Sequence, residues 1–305
     1  MFLLDFFTQV KSLEAPYPDV LAIVRESGQN LPKDAIKGAN WLLTDASSAN
    51  RLQKMAAAGI PLGEYVNGQI YYGIKTGFNQ AFVIDGAKRA ELIAKDPKSA
   101  EIIKPLAVGD DVRKWRINYQ DKWLIFTRRG ININDYPAIK KYLEQWKLDL
   151  IPKNSSRESR GRKPGSYQWY EIQDNVAYYA EFEKPKIVYP EIAKESRFAF
   201  DNKSLFFNNK AFIVPLNDLY LLGILNSEIA WEYTKSICTA LGDENKGGRL
   251  MLQWVNFKRL PIPPASESEK EPIIKLVQKC LDAKGVNCEE WEKEIDERVA
   301  ALYGL

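Results

Sequence analysis

The sequence predicts a mixed α+β fold, strand-rich, with peripheral helices and a C-terminal helical hairpin. Three observations predict it. Short apolar runs, several with an alternating pattern, recur between turn signals at residues 69–72, 81–84, 123–127, 186–189, 198–200, 204–207 and 211–214, as strands require. Two stripes, Ile139, Tyr142, Leu143, Trp146 and Leu222, Leu225, Ile229, Tyr233, repeat three and four residues apart, as one face of a helix does. Beyond the rigid 260–264 segment, residues 272–284 and 290–303 form two amphipathic helices separated by Gly285. Their apolar faces (Ile273, Val277, Cys280, Leu281; Trp291, Ile295, Val299, Leu302) pack on the body or on a partner.

Composition narrows the function before any motif is read. The 305 residues contain no histidine, which excludes Ser-His-Asp and Cys-His catalysis and histidine-ligated zinc. Three cysteines, Cys238, Cys280 and Cys288, lack C-x-x-C spacing and read as reduced thiols. No apolar run approaches the ~20 residues that cross a bilayer. The MFLLDFF start has no basic region and is interrupted by Asp5, so it does not read as a signal peptide. A cytoplasmic protein without membrane contact is expected. The net charge of +3 is uneven: residues 265–305 carry −4 and residues 1–264 carry +7. A basic body with an acidic helical tail suits nucleic-acid binding.

Taken in order, residues 1–64 are punctuated by Pro16, Pro18, Gly28, Pro32 and Gly38. They offer a strand at 41–43 and a helix at 47–58, without evident chemistry. The 65–85 stretch reads as strand, loop, strand. Gly73 and Gly77 permit close backbone approach, while Lys75, Thr76 and Asn79 offer donors to phosphate oxygens or base edges. A plain glycine-containing hairpin turn is the alternative. A helix at 87–94 breaks at Asp96-Pro97, and Ser99 is placed to cap a turn through Lys104. Asp110 and Asp111 in a glycine turn read as a solvated loop or cap rather than a metal site. Arg128, Arg129 and Gly130 follow the strand at 123–127, and Pro137 opens a helix over 136–147.

Residues 153–170 carry five cations, Lys153, Arg157, Arg160, Arg162 and Lys163, against Glu158 alone, with Tyr167, Trp169 and Tyr170 following. Cations beside aromatics on an irregular segment suit phosphate neutralisation, guanine readout or base stacking. A solvated basic loop with its aromatics in the core is the other reading. Asn208-Asn209 reads as a tight hairpin turn and Asp218 as the cap of a helix over 219–234. Lys246 and Arg249 flank Gly247-Gly248 in a second polar loop, either a phosphate cradle or an ordinary turn.

Several stretches share one resemblance. Residues 71–84, YYGIKTGFNQAFVI, are similar to the run that opens the target-recognition part of the Type IIG (Eco57I- and TaqI-like) adenine-specific DNA methyltransferases and restriction-modification enzymes. KPLAVGDDVRKW, with Asp111 and Trp115, and then PKIVYPEI, LYLLGILNSEIAWEY and NFKRLPIPP resemble later parts of the same specificity region. The last two also resemble specificity subunits of Type I systems. The resemblance implies three parts: 1–64 as a connector resembling the end of a methyltransferase domain, 65–264 as the DNA target-recognition domain, and 265–305 as the helical hairpin. Met1 then lies partway into a larger architecture.

Such a methyltransferase needs an S-adenosylmethionine pocket and an Asn/Asp-Pro-Pro-Tyr/Phe loop to grip the flipped base. Neither occurs here; the sole Pro-Pro pair is Pro263-Pro264. The implication is recognition without reaction: no catalytic residue and no cofactor in this chain, double-stranded DNA as ligand, and a catalytic domain in cis or trans that supplies S-adenosylmethionine chemistry. Two alternatives stand beside it. One is a scaffold binding a protein partner in a restriction or phage-defence complex. The other is a PD-(D/E)xK-like nuclease using Glu191, Asp201 and Lys203.

Overall fold

The structure, a computed structural model, describes residues 6–7, 19–30, 46–155, 159–242 and 248–305. The expected strand at 41–43 lies outside them. Two main sheets are built from β1 (Tyr71–Tyr72), β2 (Val83–Asp85), β3 (Ile103–Ala107), β4 (Lys122–Ile125), β5 (Lys186–Pro190), β6 (Ala199–Asp201), β7 (Phe206–Phe207) and β8 (Ala211–Val214). The longer helices are α1 (Val20–Ser27), α2 (Ala46–Ala58), α3 (Gly86–Lys95), α4 (Pro137–Glu144), α5 (Leu219–Asn226), α6 (Glu228–Ile237), α7 (Glu267–Asp282) and α8 (Glu289–Leu302). The fold is mixed α+β, as the sequence predicts.

The first sheet, antiparallel in the order β6-β5-β8-β1, is a wall between two hydrophobic cores. Successive side chains of a strand point to opposite faces. Ile187, Tyr189, Phe198, Phe212 and Val214 therefore enter one core, while Val188, Ala199, Ala211 and Ile213 enter the other. Strands buried on both faces need continuous apolar runs, which is what β5 and β8 carry. The first core is closed by α5, α7 and α8 through Leu221, Ile273, Val277, Ile295 and Val299. The second is closed by the sheet β7-β3-β4-β2, in which β7 runs parallel to β3, and by Ile139 and Leu143 of α4. The C-terminal hairpin thus spends its apolar face on the body. All three cysteines are free and buried.

Non-local pairing changes several expectations. Residues 65–85 are not a hairpin: β1 pairs with β8 and β2 with β4, so the loop between them crosses from one sheet to the other. The crossover starts where Gly73 runs against residue 208; a Cβ there would lie 1.9 Å from the Asn208 carbonyl oxygen. Residues 81–82 end a helical turn, Asn79–Phe82, before β2 begins. The 208–209 turn likewise joins strands of different sheets. Asn208 N–H donates to Ala107 O (3.1 Å) and Asn209 N–H to Ile74 O (3.0 Å).

Local capping explains the other shifts. Asp96, not Ser99, caps the turn Pro97–Glu101, accepting from Lys98 N–H (3.2 Å), and Lys104 lies in β3. The helix expected over 136–147 ends at Glu144, and a separate turn spans Lys147–Leu150. Ser227 ends α5 and caps α6, accepting from Ala230 N–H at 3.2 Å, so the helix expected over 219–234 is two. α7 begins at Glu267 because Glu269 accepts the Ser266 N–H (2.7 Å), and Pro272 is carried inside the helix. Asp111 is the buried cap of its turn, accepting from Val108 N–H at 2.8 Å, while Asp110 is exposed.

Candidate nucleic-acid interface

The opening loop and the basic loop, far apart in sequence, meet at one place. Gln173 N–H donates to Thr76 O (3.1 Å) and Asp174 N–H to Lys75 O (3.2 Å). The segment after β4 joins them: Ile172 N–H donates to Thr127 O (2.8 Å), Gly130 N–H to Glu171 Oε1 (2.7 Å), and Arg129 Nη2 to Gln173 O (2.6 Å). Under this junction lies Arg162, only 3% exposed. Its Nε donates to Leu150 O (2.7 Å), Nη1 to Thr76 O (3.0 Å) and Glu171 O (2.7 Å), and Nη2 to Gln168 O (3.2 Å) and Trp169 O (3.0 Å). A guanidinium has five N–H donors, and here each reaches a backbone carbonyl. The Tyr167 ring stacks 4.4 Å from its centre. Burial pushes the Arg162 pKa down to about 10, which still leaves it charged at neutral pH.

The expected contact residues divide accordingly. Lys75, Asn79, Arg128 and Lys163 are exposed on this composite surface, and Trp169 is half-buried beside it with the Lys147 ammonium 5.3 Å from its ring. Arg128 lies over the Tyr179 ring at 5.1 Å. Arg129 is partly covered, 5.0 Å from the Tyr167 ring. Arg160 is exposed but engages Asp149 through two bonds of 2.7 and 3.0 Å, which hold the Asp149 carboxyl below its usual range.

Three residues expected at the surface are inside. Arg162 is spent on carbonyls, Tyr167 is buried with its hydroxyl on the Lys163 carbonyl, and Thr76 is buried with its hydroxyl on Asn79 Oδ1 (2.6 Å). In each case the side chain satisfies the loop's own backbone or a neighbour, which composition does not reveal. Arg157 and Lys246 lie outside the described residues. Arg249 belongs elsewhere, on the strand Arg249–Met251 of a small three-stranded sheet. It lines a cleft of about 330 Å³ with Lys194, Arg197, Lys210, Asp110 and Glu191.

Sequence reasoning passed over Asp174. Its carboxyl is pushed above the usual range by burial, and Lys75 and Arg129 oppose that shift. Only its position four residues beyond Tyr170 could have pointed to it. Two other expectations meet the structure here. Asp201 is 2% exposed, and its oxygens accept from Lys186 Nζ (2.5 Å), Leu205 N–H (2.9 Å) and Lys203 N–H (2.9 Å), so it does not present a metal-binding carboxylate. Pro263, in the sole Pro-Pro pair, is buried with its carbonyl accepting from Tyr220 Oη (2.6 Å), so it is part of the packed core.

An α+β scaffold that presents irregular, cation-bearing loops from a rigid base is the build of a recognition module. The model of the TaqI-like C-terminal specificity domain matches residues 104–262, just over half of the sequence, and the chain belongs to that family. Two curated relatives are the Type II methyltransferase M.PaeR7I of Pseudomonas aeruginosa (24% identical over 293 residues) and M.BstVI of Geobacillus stearothermophilus (23% over 245 residues). The first match covers 92% of this chain and 47% of that protein, the second 78% and 39%. The chain therefore spans about half the length, or less, of these relatives. Among solved structures, the Type IIL restriction-modification enzyme MmeI, in complex with DNA, shares the fold with a TM-score of 0.53. Its identity is 14%, over 80% of this chain and 33% of that one. Among the described residues no helix is long and apolar enough to cross a membrane.

Proposed function

We propose that this chain is the sequence-specific DNA recognition module of an adenine-specific DNA methyltransferase or restriction-modification enzyme. It binds duplex DNA in the cytoplasm and presents the target adenine to a catalytic domain in cis or trans. That domain supplies S-adenosylmethionine chemistry. In this reading residues 65–264 carry the recognition surface, 1–64 connect it to the catalytic domain, and 265–305 brace it from behind. The observation that carries the proposal is the composite surface where the opening loop, the Arg128–Gly130 turn and the basic loop meet on one hydrogen-bonded base. Lys75, Arg128 and Lys163, with Arg157, Arg160, Lys246 and Arg249, neutralise phosphates and set register. Asn79, Arg129 and Trp169 face the bases, by hydrogen bonding and by stacking.

The test is duplex affinity as a function of salt. Affinity falls steeply with salt, and Lys75→Ala or Lys163→Ala each lowers the slope of log K against log salt by about one. Negligible duplex binding at low ionic strength sinks the reading and favours a protein-binding scaffold. The acidic outer face of α7 and α8 would then be the surface to crosslink.

A further inference from the structure

We infer that Arg162 is a positioning residue for sequence discrimination: its buried fork fixes the opening loop and the basic loop relative to one another, so that their exposed side chains meet DNA in one register. The inference rests on the DNA-reading function proposed above and assigns the residue a role different from phosphate contact. Three facts carry it. The five carbonyls it binds come from three separate places: Leu150 at the end of the Lys147–Leu150 turn, Thr76 of the opening loop, and Gln168, Trp169 and Glu171 of the basic loop. A phosphate would have to displace these carbonyls and then reach a group that is 3% exposed. The lysines next to the joined residues, in contrast, are exposed: Lys163 directly after Arg162, and Lys75 directly before its partner Thr76.

The chemistry requires arginine. A guanidinium is planar and presents its donors in fixed directions, so it collects carbonyls from several segments at once. A lysine at 162 keeps the charge but has three donors on one compact ammonium and cannot span the same set. Charge and geometry are therefore separable by one substitution. If Arg162 served DNA as a cation, lysine would substitute for it. If it serves as a fork, lysine fails.

The experiment uses the 305-residue chain and two variants, Arg162→Lys and Arg162→Met, against a pool of short duplexes with a randomised centre. The bound fraction is sequenced, total duplex affinity is followed against salt, and amide exchange is read at Gln173 and Asp174, whose N–H groups bond Thr76 and Lys75. The inference expects Arg162→Lys to lose at least about tenfold of the enrichment for preferred sequences, the size of a well-made base contact. It expects the salt slope to stay unchanged and both amides to exchange faster. A slope reduced by about one in Arg162→Met, with enrichment kept in Arg162→Lys, overturns it in favour of a phosphate contact. Unchanged enrichment in both variants, or global unfolding of Arg162→Lys, also overturns it, the latter by reducing the residue to a general stabiliser. Absence of binding in the wild-type chain is a separate result, seen without any variant, and strikes the proposed function itself.

Discussion

Two buried cations hold this molecule together in different ways. Lys186 lies in the wall, fully buried, with its ammonium on Asp201 (2.5 Å) and on Phe182 O (2.6 Å). Burial lowers its pKa while Asp201 works against that shift. Arg162 lies under the loops, and its bonded partners are all backbone carbonyls. A point charge facing a carboxylate joins two neighbouring strands, β5 and β6, which pair anyway. A fork facing carbonyl dipoles gathers segments that no sheet or helix would otherwise bring together. The wall needs a charge neutralised; the loops need a geometry imposed.

The largest effect that tests this contrast is in the wall. Lys186→Ala leaves Asp201 buried without its cation and lowers unfolding free energy by about 3–5 kcal/mol, measured by denaturant titration. The paired replacement Lys186→Met with Asp201→Leu recovers only part of that loss, because it removes the uncompensated charge but leaves the Leu205 and Lys203 N–H groups without their carboxylate acceptor. At the loops, Arg162→Met removes the cation together with its bonds. The freed carbonyls are neutral dipoles rather than an uncompensated charge. Those of Gln168 and Trp169 border the surface and can take up water while those of Leu150, Thr76 and Glu171 are buried, so the expected loss is smaller, about 1–3 kcal/mol. Should Arg162→Met be the more destabilising of the two, the loop junction and not the wall would be the structural keystone.

A third substitution within the wall goes the other way. The Tyr189 hydroxyl, three residues along β5 from Lys186, is fully buried without a hydrogen-bond partner among the described residues, and burial raises its pKa. Tyr189→Phe keeps the ring stacked on Phe212 (5.2 Å) and removes an unsatisfied polar atom. It should raise stability by about 1 kcal/mol, read as a higher denaturation midpoint at an unchanged m-value. A loss of stability would mean that the hydroxyl has a partner, such as a buried water.

Much of the wall was legible because its physics is local. After Lys186, the IVYP run of β5 and the AFIV run of β8 carry no charged position, which announces strands buried on both sides. The helical hairpin was legible for the same reason. What escaped was decided by groups distant in sequence. Nothing within residues 71–85 says that β1 pairs with β8 and β2 with β4, so a crossover read as a hairpin. Nothing within RGRKP says which arginine turns inward, since the carbonyls that accept Arg162 stand at residues 76, 150 and 168–171. Composition marked the loop as cation-rich without showing that Arg162 at its centre is buried on backbone carbonyls. Asp174, an acid in a basic neighbourhood, carried no pattern at all.

That acid gives the smallest effect and the finest test of the loop surface. Burial raises the Asp174 pKa above the ordinary 3.8, and Lys75 and Arg129 only partly oppose the shift. For folding, this group contributes stability that is fully present below 3.8 and is lost as the pH rises through the raised value. For DNA binding the sign is set by what the carboxylate does to its neighbours. In the proposed DNA-reading role, the ionised carboxylate offsets the neighbouring cations that would face phosphate; protonated, it releases them. Lowering the pH from neutrality toward 3.8 should therefore strengthen duplex binding at fixed salt. The expected gain is roughly fivefold, from the ~1 kcal/mol that one unit charge exerts at contact distance in water. Asp174→Asn should bind at neutral pH as tightly as the protonated wild type and show a flattened pH profile. If it instead binds more weakly and loses its preference at one base position, the carboxylate is a reader of a base amino group, and the electrostatic account of this surface gives way to direct readout.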